Sequence, residues 1–234
     1  MPDAAPQPVS DGSPDSPLDA AEPSSPAGSP DHYFTARPAS DDERRTITVP
    51  LGGRELELES ASGVFSPGHL DQGTGVLLRS VPAPPPTGDL LDLGCGWGPI
   101  ALSLALESPR ARVWAVDVNE RALDLVRRNA ERLGLSNVRA VLPDDVPDDV
   151  TLSALWSNPP IRVGKPALHA MLLRWLPRLA PGAQGHLVVQ RNLGADSLHR
   201  WLAEQLGENA AISVVATAKG FRVLRIDAAG AQPA

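Results

Sequence analysis

Three short runs in this sequence carry residue types at spacings suited to nucleotide and amine chemistry. The first is Asp92-Leu93-Gly94-Cys95-Gly96-Trp97-Gly98-Pro99, placed where an apolar run ends and a helical pattern begins. Ligands of open α/β sheets bind beyond the carboxyl ends of the strands, so such a loop would face a nucleotide-like cofactor. The glycines run G-x-G-x-G, whereas a dinucleotide fingerprint runs G-x-G-x-x-G and would have its third glycine at Pro99. Gly94, Gly96 and Gly98 let backbone approach a ligand, and Pro99 suits a first helical position, where its missing N–H costs nothing. The run is also compatible with a tight strand-to-helix turn that holds no ligand.

Asp117 ends the next apolar run, 19 residues after Gly98. A carboxylate there can accept both ribose hydroxyls and repels a 2′-phosphate, which disfavours NADP. It is also compatible with an aspartate that simply complements the helix starting after Asn119. Asp144 and Asp145 follow the third run and could reach an adenine amino group, or belong to the acidic surface stretch from Pro143 to Asp149.

The deciding run is Ser157-Asn158-Pro159-Pro160-Ile161. Two prolines make a stiff turn with fixed φ, and Pro159 has no N–H to compete for its own carbonyl. With the Asn158 side-chain oxygen this gives two acceptors a set distance apart, suited to the two hydrogens of an exocyclic –NH₂. Holding those hydrogens out of the ring plane localises the nitrogen lone pair, and positioning supplies most of the remaining rate gain.

The elements that must position these runs follow from periodicity. Strands are predicted at Leu90 to Leu93, Arg112 to Asp117, Val138 to Leu142, Leu152 to Trp156 and Gly185 to Gln190. Helical spacing covers Ile100 to Glu107, Asn119 to Leu133, Lys165 to Leu179 and Gly194 to Leu206. Asn119 reads as a cap and Gly134 as a stop, while Leu168, Met171, Leu172, Trp175 and Leu179 form a core stripe. The alternation implies βαβ units and a parallel sheet covered on both faces. Ala211 to Thr217 and Phe221 to Asp227 are joined only by Ala218-Lys219-Gly220, too short for a parallel crossover, so they form an antiparallel hairpin. Thr46 to Val49 and Glu55 to Leu58 flank Leu51-Gly52-Gly53 as a second hairpin, and the Pro-rich run from Val81 to Pro86 is a stiff spacer.

Composition separates a tail from a body. Of 234 residues and 25 prolines, residues 1–31 hold eight prolines, no Lys or Arg, and six acids, so they account for most of the net charge of −7. That tail is expected to be disordered. It has neither the basic start nor the apolar run of a secretory signal, and no stretch is long enough to span a bilayer, which predicts a soluble protein with no membrane partner. One cysteine, Cys95, and five scattered histidines give no disulfide and no metal cluster, consistent with a reducing cytoplasm. Cys95 reads as a small filler, and Trp97 and Trp156 as packing.

Taken together, Asp92 to Pro99, Asp117 and Asn158-Pro159-Pro160-Ile161 resemble the class I S-adenosylmethionine-dependent methyltransferases. The Asn158-Pro159-Pro160-Ile161 tetrad resembles that of the enzymes acting on planar amino nitrogens: adenine N6, guanine N2 or a glutamine amide. His32-Tyr33-Phe34 and Gly63-Val64-Phe65-Ser66-Pro67-Gly68-His69-Leu70-Asp71-Gln72-Gly73-Thr74 further resemble the small-domain 16S rRNA guanine-N2 methyltransferases, in which this segment lies across the pocket. Ile161-Arg162-Val163-Gly164-Lys165 looks like the version in short members; longer members carry a degenerate copy of the domain in front, for which a 234-residue chain with a disordered head has no room.

The resemblance implies a Rossmann-like α/β fold with a seven-stranded mixed sheet in the order 3-2-1-4-5-7-6, the last strand antiparallel. It implies residues 1–31 as tail, 32–87 as an extension with a hairpin and a pocket-covering segment, 88–228 as the core and 229–234 as a flexible end. It implies S-adenosylmethionine held by Asp92, Gly94, Gly96, Gly98, Asp117, Asp144, Asp145, Gly73 and Thr74, and catalysis by Asn158, Pro159 and Pro160. Substrate contacts would come from Phe65, Ile161, Arg162, Lys165 and Phe221, with no metal, and the partner would be ribosomal RNA or the small ribosomal subunit. Arg162 and Lys165 suit RNA phosphate but also a solvated helix start, and Lys219 to Arg222 an ordinary hairpin. A protein glutamine methyltransferase and a non-catalytic cofactor-binding assembly module are the rival functions.

Overall fold

The computed structural model describes residues 38–230; the acidic tail, His32-Tyr33-Phe34 and residues 231–234 lie outside them. Nine strands and five α-helices are present among the described residues. Strands β1 (Arg44–Leu51) and β2 (Arg54–Ala61) form the predicted hairpin, closed by Gly52 and Gly53, both at positive φ.

The remaining strands are β3 (Asp89–Leu93), β4 (Arg112–Val116), β5 (Val138–Val141), β6 (Leu152–Ser157), β7 (Leu179–Gln190), β8 (Ala210–Ala218) and β9 (Phe221–Ala228). They make one sheet in the order β5-β4-β3-β6-β7-β9-β8, which is the expected order, parallel except for β9. Lys219 and Gly220, both at positive φ, turn β8 into β9. β7 begins six residues before the predicted start and meets β6 through a register shift, because Pro181 and Gly182 mask a strand that backbone pairing sustains.

Alternating residues build two apolar layers. On one face Leu91, Leu93, Leu155, Leu187 and Leu224 pack with α4 (Lys165–Trp175) and α5 (Ala195–Leu206). On the other, Leu90, Val113, Trp156 and Val188 pack with α1 (Gln72–Ser80), α2 (Pro99–Glu107) and α3 (Glu120–Arg132). Burial of β3, β4 and β6 on both faces explains their uninterrupted apolar runs. Asn119 caps α3 by accepting from the Arg121 N–H, and α3 ends before Gly134 at positive φ. α4 is shorter than predicted, since Pro177 converts its last turn to a 3-10 turn at Leu176–Arg178.

The β1–β2 hairpin is welded to α3 and the glycine loop. Leu51, Leu58, Ala61 and Val64 bury against Trp97, Ala122 and Leu125. Fully buried Asn129 on α3 accepts from Glu59 N–H at 2.7 Å and donates to the carbonyls of Glu59 and Trp97. No helix among the described residues is long and apolar enough to cross a membrane, and no group of three or more His, Cys, Asp or Glu side chains there could hold a metal ion.

Candidate active site

The site lies at the carboxyl edge of the parallel strands, between the glycine loop after β3 and the diproline turn after β6. The N–H groups of Gly94 and Cys95 both bond to the Val116 carbonyl, anchoring the loop to β4. Gly94, Gly96 and Gly98 all have positive φ, and a Cβ at Gly96 would meet nothing within 4 Å, so bare backbone faces open space. Pro99 opens α2, as its position in the run predicts.

Asp92 sits beneath this loop and not on the pocket wall. It is fully buried; Oδ2 accepts from Ala101 N–H at 2.9 Å in the first turn of α2, and Oδ1 has no partner among the described residues. Burial, opposed by the Ala101 bond and reinforced by the neighbouring Asp117 charge, pushes its pKa up to about 8. Asp117 is half-buried at the end of β4, accepting from Gly96 N–H and Asn119 N–H at 2.9 Å each. Burial raises its pKa against those backbone bonds. Asp144, expected at adenine, instead pairs with Arg174 of α4 at 2.7 Å, and Asp145 is exposed on the same 3-10 turn. Acids on a surface turn meet whichever cation the fold brings there.

The diproline turn is built as a rigid corner. Ser157 Oγ donates to the Leu93 carbonyl at 2.6 Å, locking the end of β6 to the end of β3. Pro160 has φ −74° and ψ 77°, an inverse γ-turn in which Ile161 N–H donates to the Pro159 carbonyl at 2.8 Å. That carbonyl is therefore not wholly free, as absence of its own N–H had suggested; one lone pair is used and the other remains. Ile161, expected among the substrate contacts, is half-buried against the α4 and α5 layer and is not among the residues that line the pocket. Arg162 and Lys165 are exposed just beyond it.

Asn158 is held from a distant part of the chain. Its Nδ2 donates to Asp71 Oδ2 at 2.8 Å and to Thr74 Oγ1 at 3.0 Å. Asp71 caps α1 by accepting from Thr74 N–H at 3.0 Å. Thr74 thus faces Asn158, and Gly73 lies under the ring of Phe221, which packs into the core layer beneath α1. The pocket is lined by Phe65, Ser66, Asp71, Thr74, Gly94, Gly96 and Asn158 among others, with Phe65 half-exposed at its mouth. Ser66 takes a positive φ of 47°, pinned by Trp97 Nε1 donating to its carbonyl and by its own hydroxyl donating to His69 O. Cys95 is buried, with its thiol pKa pushed up by burial, as befits a filler.

The helix α1 and the role of Asp71 were not predicted. Gly73 and Gly75 within nine residues lower helix propensity, and the only local signal, Asp71 three residues before Thr74, is the cap itself.

The sequence and fold have known counterparts. A family model described as "Methyltransferase small domain" matches residues 55–225. The chain belongs to the methyltransferase small-domain family. Among its relatives, the uncharacterized protein YbxB of Bacillus subtilis is 34% identical over 198 residues, covering 83% of this chain and 97% of that protein. The ribosomal RNA small subunit methyltransferase C of Pseudomonas aeruginosa is 36% identical over 147 residues, covering 60% of this chain. This small-domain chain spans only 43% of that enzyme's length. The solved T. thermophilus 16S rRNA N2 methyltransferase, in complex with AdoMet and guanosine, superposes with a TM-score of 0.69 at 24% identity, over 79% of this chain and 50% of that one, and shares its fold.

Proposed function

We propose that this methyltransferase moves a methyl group from S-adenosylmethionine to the N2 amine of a guanine in small-subunit ribosomal RNA. The observation that carries the reading is Asn158: both amide hydrogens are spent on Asp71 and Thr74, and Oδ1 accepts no bond among the described residues. A side-chain oxygen held free beside a bare glycine loop is an acceptor waiting for a donor. The AdoMet and guanosine bound by the T. thermophilus relative support both ligands.

The donor set fits that cofactor. A buried, unpartnered Asp92 Oδ1 lies under the loop, and Gly96 exposes backbone to open space. The Asp117 carboxylate accepts from backbone N–H groups on both oxygens and keeps lone pairs suited to ribose hydroxyls. When bound, the cofactor supplies a methyl carbon already activated by positive sulfur. Gly94 to Gly98 would hold its methionine end, with the Asp92 carboxyl bracing the start of α2 behind them; Asp145 is the candidate for adenine, since Asp144 is engaged by Arg174.

Asn158 Oδ1 and the remaining Pro159 lone pair grip the two amine hydrogens, so the nitrogen lone pair is aimed at the methyl carbon. Phe65 stacks on a base turned out of its helix. Arg162 and Lys165 hold flanking phosphates. In this reading residues 88–228 are the transferase core, and the extension at 32–87 supplies Phe65, Asp71 and Thr74; the reaction belongs to the cytoplasm, where ribosomes are modified.

The test is transfer of labelled methyl from S-adenosylmethionine into RNA of cells lacking the gene, followed by digestion to nucleosides. N2-methylguanosine in 16S rRNA is expected. Label in protein alone would point to a glutamine amide and overturn the RNA assignment.

A further inference from the structure

We infer that Asp71 is a positioning residue that selects the orientation of the Asn158 amide, and with it the acceptor offered to the substrate amine. This rests on the reading above that Asn158 Oδ1 grips the amine.

An asparagine amide is nearly symmetric in shape, yet a half-turn about its last bond exchanges an acceptor for a donor. A donor facing an exocyclic –NH₂ would repel it. In the structure Asn158 Nδ2 lies 2.8 Å from Asp71 Oδ2 and 3.0 Å from Thr74 Oγ1. The flipped amide would bring Oδ1 to within the same distance of a carboxylate oxygen, a contact between two lone-pair bearers. One orientation is therefore strongly favoured, and it is the one with Oδ1 free.

The carboxylate is itself fixed. Asp71 Oδ2 accepts from Thr74 N–H, and Gly75 N–H donates to the Asp71 carbonyl. Gly73 between them lies so close to Phe221 that α1 is seated on the hairpin strand β9. An N-cap alone would account for the Thr74 N–H bond; it does not account for the bond to Asn158, 87 residues away. The charge has a second effect. A carboxylate accepting from the amide N–H draws electron density toward Oδ1, strengthening it where positive charge builds on the attacking nitrogen.

The test compares Asp71→Ser, which keeps a helix-capping oxygen but no carboxylate, with Asp71→Asn, Thr74→Val and Asn158→Ala. Asp71→Ser should bind S-adenosylmethionine with a Kd within about 2-fold of the parent while kcat falls about 100-fold, the loss expected from a misplaced catalytic group. Asp71→Asn should fall about 10-fold, since an amide accepts the same bond without charge. Adding Asp71→Ser to Asn158→Ala should cost nothing further. Independently of turnover, the Asn158 side-chain amide signals in a nitrogen-15 NMR spectrum, identified by their loss in Asn158→Ala, should exchange slowly in the parent and fast in Asp71→Ser. Parental kcat and unchanged amide signals in Asp71→Ser, with Asn158→Ala inactive, overturn the positioning role while leaving the proposed function intact. Parental kcat in Asn158→Ala overturns the amine grip and this role with it. Should Asp71→Ser fail to fold, Asp71→Asn and Thr74→Val decide by the same two readouts.

Discussion

A methyl group added to Gly73 would lie 2.8 Å from Cε1 of Phe221 and 3.0 Å from the Asp71 carboxylate. Gly73 is thus the point where α1 is pressed onto β9. Gly73→Ala should destabilise the fold by about 1–3 kcal/mol, because the ring or the helix must yield. Urea denaturation measures it, and the cost should shrink in a Phe221→Leu background; equal cost in both backgrounds would exclude this contact as the cause.

Asn129 ties three backbone groups of the hairpin and glycine loop to α3 with no exposure to water. Asn129→Leu leaves Glu59 N–H and the Trp97 carbonyl without this partner. A loss of about 2–4 kcal/mol is expected, together with weaker cofactor binding as the Trp97 end of the loop loosens. Denaturation and calorimetric titration with S-adenosylmethionine check the two parts separately.

His186 is 2% exposed, meets Trp156 edge to face, and has both ring nitrogens unpartnered among the described residues. Burial, aided by the Arg225 charge, lowers its pKa from 6.5 to about 4. The unfolded chain binds the extra proton first, so stability is lost as pH falls from 6.5 toward 4, by up to about 3 kcal/mol. His186→Leu should flatten that acid limb in thermal melts, with little change at neutral pH.

Asp92 has the opposite sign, because its folded pKa is raised from 3.8 to about 8. The folded state keeps the proton that the unfolded state gives up, so this group's contribution is full below the unfolded pKa and is lost as pH rises through about 8. Asp92→Asn keeps an acceptor for Ala101 N–H but cannot ionise. As pH rises from about 4 to about 8 its melting temperature should fall less than that of the parent; parallel curves over that range would show that Asp92 is already ionised when folded.

Arg162 and Lys165 are exposed beside the diproline turn. If each holds one phosphate of an unpaired strand, Arg162→Gln with Lys165→Gln should lower the slope of log affinity against log salt by about 1.4. An unchanged slope in fluorescence titrations with 16S rRNA fragments would remove both from the RNA surface.

The strand order came from the family resemblance; the sequence alone determined both hairpins, the glycine loop at a strand end and the diproline corner. These depend on interactions within a few residues: period-two burial, positive φ at turn glycines, a fixed φ at proline. Tertiary structure decided which polar groups meet. Asp71 reaches Asn158 only because α1 lies across β7 and β9; Asp144 is taken by Arg174, and Ile161 by the α4 layer. Local propensity could not foresee these, since the free energy that brings such groups together comes from burying apolar faces far apart in the chain.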